Sequence, residues 1–164
     1  MDAVTERLER LEQRLGALEA ERQIRDLIKR YGCAVDACRG DLAAATFTND
    51  GVYESDFGLI SGQEQIATFI DSEARRERFG RTAHLVGPLL IALDPFLSRA
   101  TVAGYSMVIS AGHGAPSLDR TAINRWDVVK VDGVWRCARR TLRPVATPGA
   151  VELLHSMLTD DSFS

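Results

Sequence analysis

Three side chains in this sequence have the chemistry of a general acid–base site: His84, Asp36 and Tyr31. A catalytic histidine needs an orienting group that fixes its tautomer, and a substrate proton within hydrogen-bond reach. His84 lies in an apolar run between Ala83 and Leu85, which predicts an enclosed position on a strand. Asp36 is the candidate orienting carboxylate and Tyr31 a candidate hydrogen-bond donor. Together they indicate proton abstraction from a small molecule.

Each of these side chains also has a purely structural interpretation. A lone strand histidine is often a satisfied core or surface residue, and an aspartate near a helix end is often solvated. Tyr31 precedes Asp36 by five residues, which corresponds to about 140° on an ideal helix. A curved or loosened last turn would be needed to bring both to one face. The other histidines are less enclosed, since His113 lies in a glycine-flanked loop and His155 in a polar tail.

Polar pairs also interrupt two apolar strands, at residues 124–125 and 139–140. The alternation of side chains along a strand sends one member of each pair inward. Solvent-facing charges are the alternative, because an antiparallel sheet commonly keeps one wet face. The candidate substrate-binding residues are Arg140, Asn124, Tyr53 and Tyr105.

The N-terminal residues predict one long helix with two different apolar faces. The first follows the four-three spacing of a heptad seam, at Val4, Leu8, Leu11, Leu15 and Leu18. The second is a wider stripe suited to packing on a sheet, at Ile24, Leu27, Ile28 and Tyr31. Two heptads are too short for an independent coiled coil. We therefore expect the seam to dock on another subunit, giving a homodimer or homotrimer, with the domain's own outer surface as the alternative.

Short elements are predicted after this helix. The helical region ends at residues 40–41, and residues 42–47 can form a second short helix. The Asn-Asp-Gly sequence at 49–51 predicts a turn, and a strand is expected over 52–57. Apolar residues at helical spacing predict a third helix over 63–79.

The sequence then changes to four long strands, predicted over 81–93, 99–111, 119–131 and 134–142. Residues 132–133 (Asp-Gly) are a strong hairpin signal, whereas 112–117 predicts a longer loop. Pro144 and Pro148 break the sheet before a short tail helix over 151–158. Helices first and strands afterwards predict an α+β fold with an antiparallel meander.

Composition and charge exclude several classes of protein. The 164 residues are 45% hydrophobic and carry a net charge of −3, which suits one globular domain and gives no attraction to nucleic acid or an anionic membrane. The first residues are charged and lack the apolar core of a secretory signal, and no stretch reaches the roughly 18 apolar residues of a transmembrane helix. We expect a cytoplasmic protein whose partners include neither nucleic acid nor membrane.

Common catalytic and ligand-binding motifs are missing from the sequence. It lacks GxGxxG, a P-loop, GxSxG, HExxH and an EF-hand loop. Cys33, Cys38 and Cys137 cannot all pair, and none stands in a CxxC or in a cluster with histidines. Reduced thiols in a cytosolic protein are the expected state. We predict no metal site and no cofactor.

Five segments occur in a characteristic order: AERQIRDLIKRYGCAVD, GDLAAATFTNDGVYE, SGQEQIATFI, RTAHLVGP and NRWDVVKVDGVWRCARR. Together they resemble the SnoaL-like branch of the nuclear-transport-factor-like superfamily. The similarity covers about residues 21–143 and is more specific for fold than for reaction. We accordingly divide the chain into an N-terminal helical extension over 1–20, a SnoaL-like domain over 21–145 and a C-terminal tail over 146–164.

The resemblance implies a cone-shaped α+β barrel, in which a curved antiparallel sheet wraps around N-terminal helices and encloses a pocket. Within this branch, scytalone dehydratase, bile acid 7α-dehydratase and lindane dehydrochlorinase pair a strand histidine with a helix-end aspartate for elimination without a cofactor. That pair maps onto His84 and Asp36. Tyr31 stands where the dehydratases have a tyrosine, and Arg140 best matches a late-strand arginine.

The leading hypothesis is a cofactor-independent lyase, a dehydratase of a hydrophobic, carbonyl-bearing molecule of steroid or polyketide type. One departure concerns the strand over 99–110, where the bile acid enzyme has a further acidic residue and this sequence has Tyr105 and Ser106. Isomerases, cyclases and non-catalytic binding proteins or accessory subunits share the same cone, so each remains an alternative.

Overall fold

The structure, a computed structural model, describes residues 2–73, 77, 80–111 and 114–159. Its first element, α1 (Ala3–Asp36), is the long helix that the sequence predicts. The Asp2 carboxylate caps its N-terminus by accepting a hydrogen bond of 3.5 Å from the backbone N–H of Val4. The helix runs without interruption through residue 20, so the extension and the start of the main domain share one element.

The two apolar faces of α1 have different surroundings. The wider stripe is buried against the sheet, with Ile24 at 0% and Ile28 at 4% exposure. The five seam residues are each more than half exposed, so the seam does not dock on the domain's own surface: Val4, Leu8, Leu11, Leu15 and Leu18. On a helix of 3.6 residues per turn, this seam lies on the side opposite the buried stripe.

Four short elements come next in the chain: α2 (Gly40–Ala44), β1 (Phe47–Ser55), β2 (Gly58–Ser61) and α3 (Gln63–Ile70). The turn predicted at residues 49–51 was wrong, because these residues lie inside β1, where the pairing register shifts between Phe47 and Val52. A Cβ atom at Gly51 would lie 2.8 Å from the Cβ atom of Phe47, so the glycine fits a tight irregularity of the strand.

Helix α3 ends earlier than the sequence predicts. Its last residue is Ile70, and the Asp71 carboxylate then accepts a hydrogen bond of 2.9 Å from the backbone N–H of Gly40, at the start of α2. This bond ties α3 to α2. The predicted continuation of the helix to residue 79 falls partly on residues 74–76, 78 and 79, which lie outside the described residues.

The second half of the chain forms β3 (Thr82–Leu93), β4 (Arg99–Ser110), β5 (Ser117–Val131), β6 (Val134–Pro144) and α4 (Pro148–Leu158). The six-stranded sheet has the order β2-β1-β6-β5-β4-β3. Neighbours are antiparallel except β1 and β6, which pair in parallel. The Asp132-Gly133 hairpin is confirmed: both residues have positive φ, as a type I′ turn requires.

The sheet is curved but not closed, since β2 and β3 lie at its two edges. Register shifts within the β3–β4, β4–β5 and β5–β6 pairings bend the strands. The inner face packs on α1 and α3, and its largest fully buried side chains include Phe47, Ile66 and Leu142. The α+β class with a curved sheet around N-terminal helices is therefore confirmed, as an open sheet rather than a closed barrel.

The tail helix α4 covers part of the outer face of the sheet. Ala150 and Met157 of α4 are buried against Ala103 of β4 and Ile123 of β5. This contact leaves the inner face to the functional groups described below. Within the described residues, no helix combines the length and apolarity needed to cross a membrane.

Candidate active site

Asp36 and His84 form a hydrogen-bonded pair where α1 meets β3. The Oδ1 atom of Asp36 lies 2.5 Å from the Nδ1 atom of His84. The Oδ2 atom accepts a hydrogen bond of 2.8 Å from the backbone N–H of His84, and the Thr82 hydroxyl donates to Oδ1 over 3.3 Å. Because both oxygens are held by groups of β3, the carboxylate has a fixed orientation and in turn fixes the imidazole.

The close approach of helix and strand explains how a helix-end aspartate reaches a strand histidine. Asp36 is the last residue of α1, and His84 lies near the beginning of β3. Gly32, one turn before Asp36, faces the same strand, and a Cβ atom there would lie 3.6 Å from the Cβ atom of His84. The side chains of His84 and Asp36 are 18% and 24% exposed, so the pair is partly desolvated.

A cavity of about 380 Å³ lies beside this pair. His84 and Thr82 form part of its wall, and most of the other lining residues come from α1, α3, β4 and β5. The apolar lining side chains are Val35, Phe57, Phe69 and Val108, and the other polar ones are Cys38, Ser72, Asp119 and Arg120. A concave wall that combines apolar side chains with several polar groups can hold a small molecule with both kinds of surface.

Deeper on the inner face of the sheet lies a buried polar chain of Ser106, Asn124 and Arg140. Asn124 is fully buried; its Nδ2 atom donates to the Ser106 hydroxyl at 2.8 Å. Its Oδ1 atom accepts from Nη2 and Nε of Arg140, at 2.8 Å and 3.1 Å. Arg140 is 6% exposed, and among the described residues no carboxylate pairs with it. The interior therefore contains a positive charge held by an amide rather than by an acid.

Aromatic rings complete the surroundings of this guanidinium. Its Cζ atom lies 4.8 Å from the ring centroid of Tyr31, 5.1 Å from that of Tyr53 and 5.6 Å from that of Trp126. Cation–π contacts of this kind offset part of the cost of burying a charge. The Tyr53 ring also packs on Phe69, at 6.0 Å between centroids, and Phe69 lines the cavity beside the dyad. The arginine cluster and the dyad cavity are therefore neighbouring compartments.

The structure separates the predicted site residues into two groups and one outlier. His84 and Asp36 form the dyad, while Arg140, Asn124 and Tyr53 form the buried cluster. Tyr31 belongs to the cluster and does not line the 380 Å³ cavity; its ring packs edge-on against Phe47 at 5.7 Å.

Tyr105 is the outlier among the predicted substrate-binding residues. It is 54% exposed, whereas its neighbour Ser106 is 8% exposed and joins the buried polar chain. Side chains alternate along a strand, so Tyr105 lies on the outer face of the sheet, opposite Ile123. The structure does not bring Tyr105 to the cavity.

Two pairs of polar residues, 124–125 and 139–140, each have one side chain on the inner face of the sheet and one on the outer face. Asn124 and Arg140 point inward, whereas Arg125 forms a salt bridge of 3.0 Å with Asp127. Arg139 pairs with Glu54, which also binds Arg143. Hydrogen bonds from these guanidinium groups, with Arg143 the larger cause, hold the pKa of the Glu54 carboxyl below its usual value. Glu54 therefore pairs with Arg139 and Arg143 on the outer face and not with the buried Arg140.

One of the three cysteines, Cys38, lines the cavity beside the dyad. Cys33, Cys38 and Cys137 form no disulfide bond with one another, and burial raises the pKa of the Cys137 thiol well above its usual range. A buried thiol with a raised pKa is an inert packing residue. Within the described part of the chain, no three histidine, cysteine or acidic side chains lie close enough to hold a metal ion.

Sequence reasoning missed several residues of the site. Phe57, Phe69 and Arg120 line the cavity, and Trp126 stacks on the buried arginine. Strand alternation could have placed Trp126 on the same face as Asn124, two residues earlier. The other three come from a turn, from α3 and from β5, and only the tertiary packing of these elements brings them to one cavity.

Comparison with known proteins agrees with this architecture. A family model described as the SnoaL-like domain matches residues 16–141. No curated protein matches the sequence significantly. An NTF2-like protein with a cystatin-like fold from Novosphingobium aromaticivorans is 29% identical with a TM-score of 0.82, over 94% of this chain and 98% of the other.

Two further solved structures are similar over most of their lengths. A protein of unknown function from Mycobacterium tuberculosis is 25% identical with a TM-score of 0.67, over 96% of this chain and 92% of the other. A proposed scytalone dehydratase from Novosphingobium aromaticivorans is 22% identical with a TM-score of 0.67, over 79% of this chain and 87% of the other. NTF2-like proteins of this kind process small molecules. The protein is a member of the SnoaL-like domain family, with the NTF2-like, cystatin-like fold.

Proposed function

We propose that the protein is a cofactor-independent lyase that dehydrates a hydrophobic, carbonyl-bearing small molecule. The observation that carries this proposal is the 2.5 Å contact between Asp36 Oδ1 and His84 Nδ1 on the wall of a 380 Å³ cavity. A histidine that is held by a carboxylate and largely shielded from water on the wall of a cavity has the orientation and the partial desolvation that a general base requires.

In this scheme Nδ1 of the imidazole keeps its proton toward Asp36, and Nε2 carries out both proton transfers. With Nδ1–H donating to Asp36, the neutral ring has its lone pair on Nε2. Nε2 removes a proton from the carbon next to the substrate carbonyl, and the C–H electron pair forms an enolate. The enolate then expels the hydroxyl on the next carbon. The Nε2–H proton passes to that hydroxyl, so water leaves and His84 returns to its neutral form.

The buried arginine cluster supplies the electrostatic part of this scheme. The Arg140 guanidinium is held by Asn124 and gives the inner end of the site a positive charge that favours negative charge on the enolate oxygen. In this scheme the substrate carbonyl points past Phe69 toward Arg140, and the Tyr31 ring, 4.8 Å from the guanidinium carbon, helps to hold that charge in place. The apolar wall of the cavity favours a hydrophobic, ring-containing substrate.

The experiment that tests the reaction measures cleavage of the C–H bond next to the carbonyl and of the C–O bond to the leaving hydroxyl in the same sample. The protein is incubated in D₂O, without added metal or cofactor, with a panel of hydrophobic β-hydroxy ketones. NMR reads deuterium uptake next to the carbonyl, and mass spectrometry reads loss of water. We expect at least one compound to lose water in the presence of the protein and not in its absence.

The same assay separates the alternatives. Deuterium uptake without loss of water would contradict dehydration and support an isomerase or cyclase that uses the same base. Binding of the compounds with neither change would support a binding protein or accessory subunit instead. A dehydratase shows both the exchange and the loss.

We further propose that the protein is a homo-oligomer, held together through the exposed leucine seam of α1, and that it resides in the cytoplasm, where its cysteines stay reduced. The charges beside the seam indicate how two copies pair. Arg7 and Arg14 precede seam leucines, whereas Glu12 and Glu19 follow them. In a parallel two-stranded coiled coil each arginine faces the glutamate five residues later on the partner, whereas an antiparallel pair sets like charges together. The pattern favours parallel packing, and we propose a parallel dimer as its simplest form.

Light scattering tests this assembly. We expect a mass near twice the chain mass of 18.0 kDa at micromolar concentration, falling on dilution because the seam is short. Arg14→Glu should weaken the dimer and the double variant with Glu19→Arg should restore it, since the swap rebuilds the same ion pairs. A single-chain mass for the unmodified protein, or no rescue by the double variant, would contradict the proposal.

A further inference from the structure

A second cationic side chain lies at the outer edge of the dyad cavity and has no part in the chemistry proposed above. Arg120 lines this cavity together with Phe57, and its guanidinium carbon lies 5.7 Å from the centroid of the Phe57 ring. Phe57 is 68% exposed, so the pair stands where the cavity meets solvent. Among the described residues, no carboxylate forms an ion pair with Arg120.

The register of the sheet places Arg120 in one row with the catalytic histidine. His84 is directly opposite Val108 in the β3–β4 pairing, and Val108 is directly opposite Arg120 in the β4–β5 pairing. Residues opposite each other on paired strands project to the same face. Neighbouring strands are about 4.8 Å apart, so the Cα atoms of His84 and Arg120 are about 10 Å apart. All three side chains line the cavity.

The nearby carboxylates accept hydrogen bonds from groups other than Arg120. Asp119, the preceding residue on β5, also lines the cavity, but its two oxygens accept hydrogen bonds from the hydroxyls of Ser110 and Ser117. Asp36 is held by His84 and Thr82. The positive charge of Arg120 is therefore not matched by a contacting acid, and a ligand oxyanion could take that place.

We infer that Arg120 binds an anionic group of the substrate, a carboxylate, sulfate or phosphate, at the end remote from the carbon that His84 deprotonates. The planar guanidinium pairs with such an oxyanion through two parallel N–H bonds, and the Phe57 ring beneath it restricts its orientation. This inference rests on the proposed function and narrows its substrate class. The substrate is a hydrophobic carbonyl compound with an acidic group at the end remote from the reacting carbon.

Two fluorescent probes of the same shape test the subsite without a known substrate. Anilinonaphthalene sulfonate and N-phenylnaphthylamine share one aromatic skeleton and differ in the sulfonate group. Dissociation constants of both are measured by fluorescence titration for the unmodified protein and for Arg120→Met, which keeps an apolar stem and removes the charge. Arg120→Lys keeps the charge, and Arg99→Met removes an exposed arginine at the far end of β4.

We expect the unmodified protein to bind the sulfonate at least about tenfold more tightly than the neutral probe, because a hydrogen bond to a charged group contributes about that much. Arg120→Met should lose this preference with the affinity for the neutral probe unchanged. Arg120→Lys should keep most of it and Arg99→Met all of it. Added salt should reduce the preference of the unmodified protein for the sulfonate probe, because salt screens the charge of Arg120.

Two results would overturn the inference in distinguishable ways. An unchanged preference in Arg120→Met removes Arg120 as the anion subsite and leaves the proposed elimination intact, since that reaction is assayed separately. Failure of both probes to bind the unmodified protein removes the subsite and also the role of the cavity as a ligand site.

Discussion

Replacing His84 by alanine is expected to reduce kcat/KM about 10²- to 10⁴-fold on any compound that the protein dehydrates, because the variant has no base beside the substrate carbon. His84 is only partly buried and the change opens no large apolar cavity, so the fold should persist. Circular dichroism and thermal unfolding check the fold in parallel with the kinetics. A His84→Ala variant with full activity would contradict the role of His84 as the general base.

Asp36→Asn probes the same step through the tautomer of the imidazole. The asparagine oxygen can still accept from the backbone N–H of His84, which sets its NH₂ group against Nδ1. That NH₂ group donates to Nδ1, so the ring proton moves to Nε2 and the lone pair no longer faces the substrate. We expect kcat to fall as much as in His84→Ala.

The matched control for Asp36 is Thr82→Val, which removes only the 3.3 Å hydrogen bond to the carboxylate. It should change kcat by less than about tenfold, because the other two contacts still hold Asp36. Equal losses in Thr82→Val and Asp36→Asn would mean that Asp36 acts by packing alone.

The second large effect is expected at Asn124, which joins the buried arginine to Ser106. Asn124→Leu removes the only described hydrogen-bond acceptor of the Arg140 side chain. Breaking a buried charged interaction from one side costs about 3–5 kcal/mol of unfolding free energy, since the remaining charge is unsatisfied. Urea denaturation should show a loss of this size, together with a strong loss of activity.

The double variant Asn124→Leu with Arg140→Met gives the decisive comparison. It removes the unsatisfied charge, so it should be more stable than Asn124→Leu alone, and it should stay inactive if Arg140 stabilises the enolate. Arg139→Met is the control, because Arg139 pairs with Glu54 on the outer face and is 43% exposed. Its removal should cost about 1 kcal/mol or less. A double variant less stable than Asn124→Leu would contradict the assignment of Arg140 as a costly buried charge.

Local sequence patterns were sufficient to predict the helices and strands. Each pattern depends only on which side of one element is buried. The four long strands lie within a few residues of their predicted ranges, since alternation and the Asp132-Gly133 turn are local properties. The helical period of α1 likewise needed no tertiary information. The Asn-Asp-Gly run at 49–51 misled because the same residues suit a turn and a strand irregularity, and only pairing with β6 distinguishes the two.

The sequence by itself determined the chemistry available to this protein: one enclosed histidine, a helix-end aspartate, and an inward arginine and amide in alternating strands. The tertiary structure decided which of them meet. It joined His84 to Asp36 across 48 residues, placed Tyr31 with Arg140 rather than in the cavity, and turned Tyr105 to the outer face. The physical reason is that strand register and the approach of α1 to β3 are set by packing of the whole core, which no local period encodes.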